Sequence, residues 1–121
     1  MCTKRYKLFA TCYDKRGRIL SYGENSYSKS HPMMKYLAER VGVSEAKIYL
    51  HAEVQALLRA GDKQVHKLLV QRFDEQGKPA LAKPCKICQE ALKMHGCSIL
   101  EYTTPITEGN TRGYVRVVLK S

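Results

Sequence analysis

At 121 residues the chain is long enough to bury one core but not two, so a single domain over residues 1–121 is expected. Hydrophobic residues make up 44% of it without any low-complexity run, which fits a compact soluble protein. No apolar stretch approaches the roughly 18 residues that span a membrane and the N-terminal Met1-Cys2-Thr3-Lys4-Arg5-Tyr6 carries no apolar signal region, so a cytoplasmic location is expected. Five cysteines, an odd number, suit a reducing compartment better than a disulfide framework. Lysine and arginine total 21 against 11 acidic residues, a formal charge of +10 that favours polyanions or phosphorylated small molecules. The basic residues are scattered, however. The densest groups are Lys4 to Lys7, Lys15 to Arg18 and Arg112 to Arg116, and a solvated surface explains them as well as a binding face does.

Tyr6 to Tyr13 and Arg18 to Gly23 are β-prone and flank Asp14-Lys15-Arg16-Gly17, which reads as the turn of an antiparallel hairpin. A connection rich in Ser, Tyr and Lys follows, including Lys29. Pro32 then opens a helical segment, Met33 to Arg40, in which Met34, Leu37 and Val41 have helical spacing. Glu53 to Ala60 is rich in helix formers, with Val54, Leu57 and Leu58 on one stripe and Gly61 as a stop. Val65 to Phe73 reads as a strand whose Leu68-Leu69-Val70 run suggests burial on both faces. Residues 74–83 form a polar connection to Pro84, which suits the first turn of a helix running to about His95 and stopping at Gly96. Ser98 to Thr103 and Tyr114 to Leu119 are the last strands. About ten residues separate them, too few for a parallel crossover, so they are expected to pair antiparallel.

Chemistry concentrates at His51-Ala52-Glu53 and Pro84-Cys85-Lys86-Ile87-Cys88. Zinc takes imidazole nitrogen and thiolate sulfur readily, and a catalytic site stops at three protein ligands so that a water position stays open. His51, Cys85 and Cys88 supply such a set. The metal lowers the pKa of water toward about 7, and Glu53, two residues from His51, is placed to move its proton. Residues two apart do not face each other along a helix, so His51 and Glu53 share a site most easily if the helix starts there. Cys85 and Cys88, three apart, fall on one face of the next helix, whose N-terminus favours thiolate. A lone His-x-Glu is weak and a lone Cys-x-x-Cys moderate, since the latter also serves redox pairs and structural zinc. A closed site with His31, His66, His95 or Cys97 as fourth ligand is the alternative.

Taken together, the two halves resemble the cytidine deaminase-like superfamily, whose signature is H-x-E followed by P-C-x-x-C. That resemblance spans roughly residues 5 to 119, although its specific motifs occupy a few short stretches. It implies an α/β, three-layer fold with a five-stranded mixed sheet flanked by helices. It further implies Zn²⁺ on His51, Cys85 and Cys88, Glu53 as general acid/base, substrate contacts at Asn25 and Ala52, and a homo-oligomer. Asn25 reads equally well as a turn residue in Gly23-Glu24-Asn25-Ser26. The implied reaction is hydrolytic deamination of cytosine in a nucleoside or nucleotide, cytidylate or deoxycytidylate above all, with Lys29 and Lys35 near a phosphate. An antiparallel final pair resembles the free cytidine deaminases, which usually carry Cys where this chain has His51 and an acidic residue where it has Tyr27. Two alternatives stand beside this reading: a deaminase editing cytosine or adenine in single-stranded nucleic acid, and a non-catalytic zinc-stabilised binding module.

Overall fold

The computed structural model describes residues 8–25, 32–42, 51–109 and 111–119. Cys2, the Lys4 to Lys7 group, Tyr27, Lys29 and His31 lie outside the described residues. Strands β1 (Leu8–Tyr13) and β2 (Ile19–Glu24) form the expected antiparallel hairpin, with Ala10 opposite Gly23 and Cys12 opposite Ser21. Asp14 builds its turn. One carboxylate oxygen accepts the Arg16 and Arg18 amides at 2.9 Å each, and Gly17 takes the left-handed φ of 82° that the turn requires.

Helices α1 (Pro32–Val41) and α2 (Ala52–Ala60) precede β3 (Lys67–Arg72), and α3 (Lys86–Met94) connects β3 to β4 (Ile99–Thr103) before β5 (Tyr114–Val118) closes the sheet. The sheet order is β2-β1-β3-β4-β5. Among the described strand pairs only β3 and β4 run parallel, and α3 is the crossover that such a pair needs. Strand β5 pairs antiparallel with β4, as the short connection between them dictates. The chain therefore has an α/β fold with a five-stranded mixed sheet and, among the described residues, three helices.

Helix α2 seats on β1 and β2, which is what fixes the site. Ala10, Cys12, Ala56 and Leu57 are essentially inaccessible there, and burial of a leucine of this size contributes about 1.5–3 kcal/mol. Gly23 makes the close approach possible. A Cβ at that position would collide with the Ala52 carbonyl oxygen and lie 2.7 Å from the Ala56 amide. Polar ties from β2 reinforce the contact: Ser21 Oγ donates to Ala56 O at 2.6 Å, the Arg59 guanidinium to Tyr22 O at 2.9 Å, and the Glu24 amide to Gln55 Oε1 at 2.9 Å.

Helix α1 buries Met34, Leu37 and Ala38 and is tied to α3 by Arg40 and Glu90, 2.9 Å apart. Lys35 is an exposed residue of α1. The Leu68-Leu69-Val70 run departs from the sequence expectation. Leu68 and Val70 are fully buried in the rows of Cys12 and Ala10, on the side covered by α2, while Leu69 on the opposite face is only partly covered. No described helix is long and apolar enough to cross a membrane.

Candidate metal centre

Two helix starts converge on one point. His51 is the N-cap residue of α2, in extended conformation at φ −78° and ψ 149°, and Cys85 is the N-cap of α3 at φ −73° and ψ 175°. Neither side chain caps its own helix, so both are free to turn toward each other. Pro84 accordingly stands just before the α3 cap rather than in its first turn, because Cys85 must stay extended to bring its sulfur round to Cys88. Gln89 holds that entry, its Nε2 donating to Pro84 O at 2.9 Å.

The donor atoms of His51, Cys85 and Cys88 all lie within 4.8 Å of one another. His51 Nδ1 is 3.2 Å from Cys88 Sγ and 3.5 Å from Cys85 Sγ, and the two sulfurs are 3.7 Å apart. Zinc bonds of about 2.0–2.1 Å to nitrogen and 2.3 Å to sulfur give tetrahedral edges of about 3.6 Å for N···S and 3.8 Å for S···S. The three donors thus fit one face of a zinc tetrahedron. A sulfur separation of 3.7 Å is also far beyond the disulfide bond length of about 2.05 Å, and neither cysteine is in a disulfide.

Among the described residues no fourth His, Cys, Asp or Glu joins this group. Cys97 turns away, its sulfur 3.3 Å from Ile99 O, and His66 and His95 stand apart from the cluster. Glu53, in the first turn of α2, is 3% exposed, and its Oε1 has no hydrogen-bond partner. A buried carboxylate oxygen without a partner is costly unless the group holds a proton or meets one on a ligand. Burial accordingly pushes the Glu53 carboxyl above its ordinary value, against the opposing pull of the Cys88 hydrogen bond and the His51 charge.

The two thiols divide in the same field. The hydrogen bond from Cys88, with His51 adding to it against a burial penalty, brings Cys85 down to about 4. Pairing with Cys85 and burial drive Cys88 well above the usual thiol range. The bond to Cys85 raises His51. Cys85 is therefore ready to bind a cation at neutral pH, and a divalent metal would replace the proton still held by Cys88.

Asn25 and Ala52 have defined structural surroundings of their own. Asn25 stitches the end of the β1–β2 ladder: its amide donates to Leu8 O at 3.1 Å and its Oδ1 accepts from the Leu8 amide at 3.0 Å. Ala52 is fully buried, with its carbonyl against Gly23.

Several residues that fix the centre gave no motif in the sequence. Thr103 Oγ1 donates to Ala80 O at 2.8 Å and accepts from the Arg72 amide at 3.0 Å, while Thr103 O accepts from the Ala82 amide at 2.9 Å. One buried threonine thereby anchors the segment that delivers Cys85. Gly23 had a legible signal, a glycine within a β-prone run, but its meaning depends on α2 lying above it.

No protein-family model matches the chain. No curated protein matches it either. Fold and site together define an α/β domain with a His-Cys-x-x-Cys cluster able to hold a metal ion such as zinc.

Proposed function

We propose that this protein is a zinc-dependent hydrolase that deaminates cytosine in a nucleoside or nucleotide, cytidylate or deoxycytidylate in particular. The observation that carries the reading is Glu53, a buried carboxyl with an unpartnered oxygen beside a three-donor cluster. A purely structural zinc site gains nothing from such a group, whereas proton transfer needs one. His51, Cys85 and Cys88 would hold the metal, which as a Lewis acid would lower the pKa of water toward about 7.

The chain's own residues account for the proton traffic. Deamination adds water across the C4–N3 bond of cytosine and expels the 4-amino group as ammonia, so a proton must pass from the attacking water to ring N3 and, in a second transfer, from the new C4 hydroxyl to the departing nitrogen as the C4 carbonyl forms. Glu53 can carry it at each stage because burial keeps its proton affinity high. Gly23, by admitting α2 close to β2, holds Glu53 and His51 together at one helix start.

The formal charge of +10 supports a second reading, deamination within single-stranded nucleic acid, since phosphate contacts there release counterions. One assay separates the two. Zinc-loaded protein is incubated with CMP, dCMP, cytidine, deoxycytidine and cytosine- or adenine-containing single strands, and products are read by mass. Conversion of a monomer at one mass unit gain, abolished in Glu53→Ala with zinc retained, is expected. Conversion of oligonucleotides alone, with steep salt dependence, transfers the assignment to editing. Zinc binding with no conversion of any substrate leaves a binding module.

A further inference from the structure

The two inter-strand connections on the β4 side differ in kind, and the difference leaves a gap. Strand β3 reaches β4 through α3, but β4 reaches β5 through residues 104–113, which contain no helix among the described residues. Nothing described therefore lies beside α3 over the β4–β5 pair. The gap is a groove of ≈ 670 Å³ with Leu100, Tyr102 and Val117 on its floor, Leu92 on the α3 wall, and Lys83 and Lys93 at its rim.

We propose that this groove docks an acidic amphipathic helix from a partner protein. Its place in the fold fits a helix, because helices in one layer pack about 8–10 Å apart and a second helix beside α3 would complete the cover of the sheet. Its length fits too: α3 spans nine residues, about 14 Å, so an occupant of three or four turns would run along the whole wall. Charge selects the chemistry. Lys83 and Lys93 are the only charged residues lining the groove among those described, both are exposed, and neither joins an ion pair among the described residues. Apolar floor and basic rim together match a helix with leucine-type residues on one stripe and glutamates flanking it. A second copy of this chain offers no such segment among its described helices, since none of α1, α2 and α3 is net acidic.

The test needs neither metal nor turnover. A fluorescein-labelled peptide of about 14 residues, with leucines at i, i+3, i+4 and i+7 and flanking glutamates, is titrated with the full chain by anisotropy. Saturable binding is expected, weakened about tenfold or more by K83E/K93E and within about twofold of wild type for K15E/K63E, which reverses two exposed lysines away from the groove. The same leucine pattern flanked by lysines should prefer the K83E/K93E variant. Lack of binding, equal binding of a peptide with the same composition but no helical period, or equal losses in the two double variants would overturn the proposal. So would a concentration-dependent dimer in sedimentation that excludes the peptide, which would assign the groove to a second copy.

Discussion

The two edges of the sheet solve the same packing problem in opposite ways. At β2 a helix is pressed so closely onto the strand that one glycine is obligatory and Ser21, Arg59 and Gln55 bond across the seam. At β5 no described helix covers the inner face, and the edge is held from the other face by Glu101, which bridges Lys67 of β3 at 3.1 Å and Arg116 of β5 at 3.0 Å. The connections decide this. A helix carried in the chain packs where its strand neighbours deliver it, and a ten-residue link without a helix delivers none. Precision is thus concentrated on the β2 side, where His51 and Glu53 must be placed, and latitude is left on the β5 side.

Gly23→Ala is the sharpest way to break that contrast. With backbone atoms of α2 in the way, relief requires the helix to shift, and overpacking of this kind costs about 1–3 kcal/mol. We expect the upper end of that range in urea unfolding, with zinc occupancy falling because His51 moves with the helix. Gly109→Ala on the opposite side, where the nearest atom to a new Cβ is 4.0 Å away, should change stability by no more than about 0.5 kcal/mol. Equal costs at the two glycines would mean that the β2 seam is not tighter.

Metal removal probes the joint between the two halves, since His51 stands on α2 and both cysteines at the start of α3. With free zinc at 100 times its dissociation constant, binding stabilises the folded chain by about 2.7 kcal/mol. Chelation should lower the melting temperature accordingly. Hydrogen exchange should then rise more at the start of α3 than in α2, whose contacts with β2 persist. A melting temperature indifferent to chelator would exclude a metal at this cluster.

What could be read in the sequence divides along chemical lines. The His51, Cys85 and Cys88 cluster was legible because its chemistry is carried by residue type and spacing, and the hairpin and the antiparallel β5 because turn residues and a short link constrain the backbone locally. The helix starts were placed within a residue or two, but Pro84 was not, since only the extended Cys85 cap shows why the helix begins after it. Leu69 reads as buried in the sequence and is only partly covered, because an apolar run does not say how many faces of a sheet are covered. Thr103 was illegible: its importance lies in partners 31 and 23 residues away. The open groove was illegible for a similar reason, as it follows from no described helix lying over a particular pair of strands.

Thr103→Val retains shape and removes the hydroxyl, leaving the Arg72 amide and the Ala80 carbonyl without it. An unsatisfied buried group costs about 1–3 kcal/mol, so a loss near 2 kcal/mol is expected, together with weaker zinc binding through the displaced Cys85 segment. Ser21→Ala removes the bond to Ala56 O on the tight side, along with the hydroxyl's contact to Cys12, and should cost about 1 kcal/mol, with zinc affinity almost unchanged because Gly23 still seats the helix.

The smallest effect lies at the β5 edge. Burial pushes Glu101 up, but its hydrogen bonds to Lys67 and Arg116 outweigh that and hold the carboxyl below the ordinary 4.5. A carboxyl depressed in the folded state contributes stability above its unfolded pKa and loses that contribution as pH falls through the folded value. Glu101→Gln should therefore cost about 0.5–1 kcal/mol at pH 7, discounted because the Arg116 side chain is 57% exposed. The cost should shrink toward zero below pH 4.5, where wild type protonates and the variant has nothing to lose. Urea midpoints of the two proteins converging as pH falls would identify the ion triad as the clasp of the open edge. A gap that persists at low pH would instead assign Glu101 a packing role.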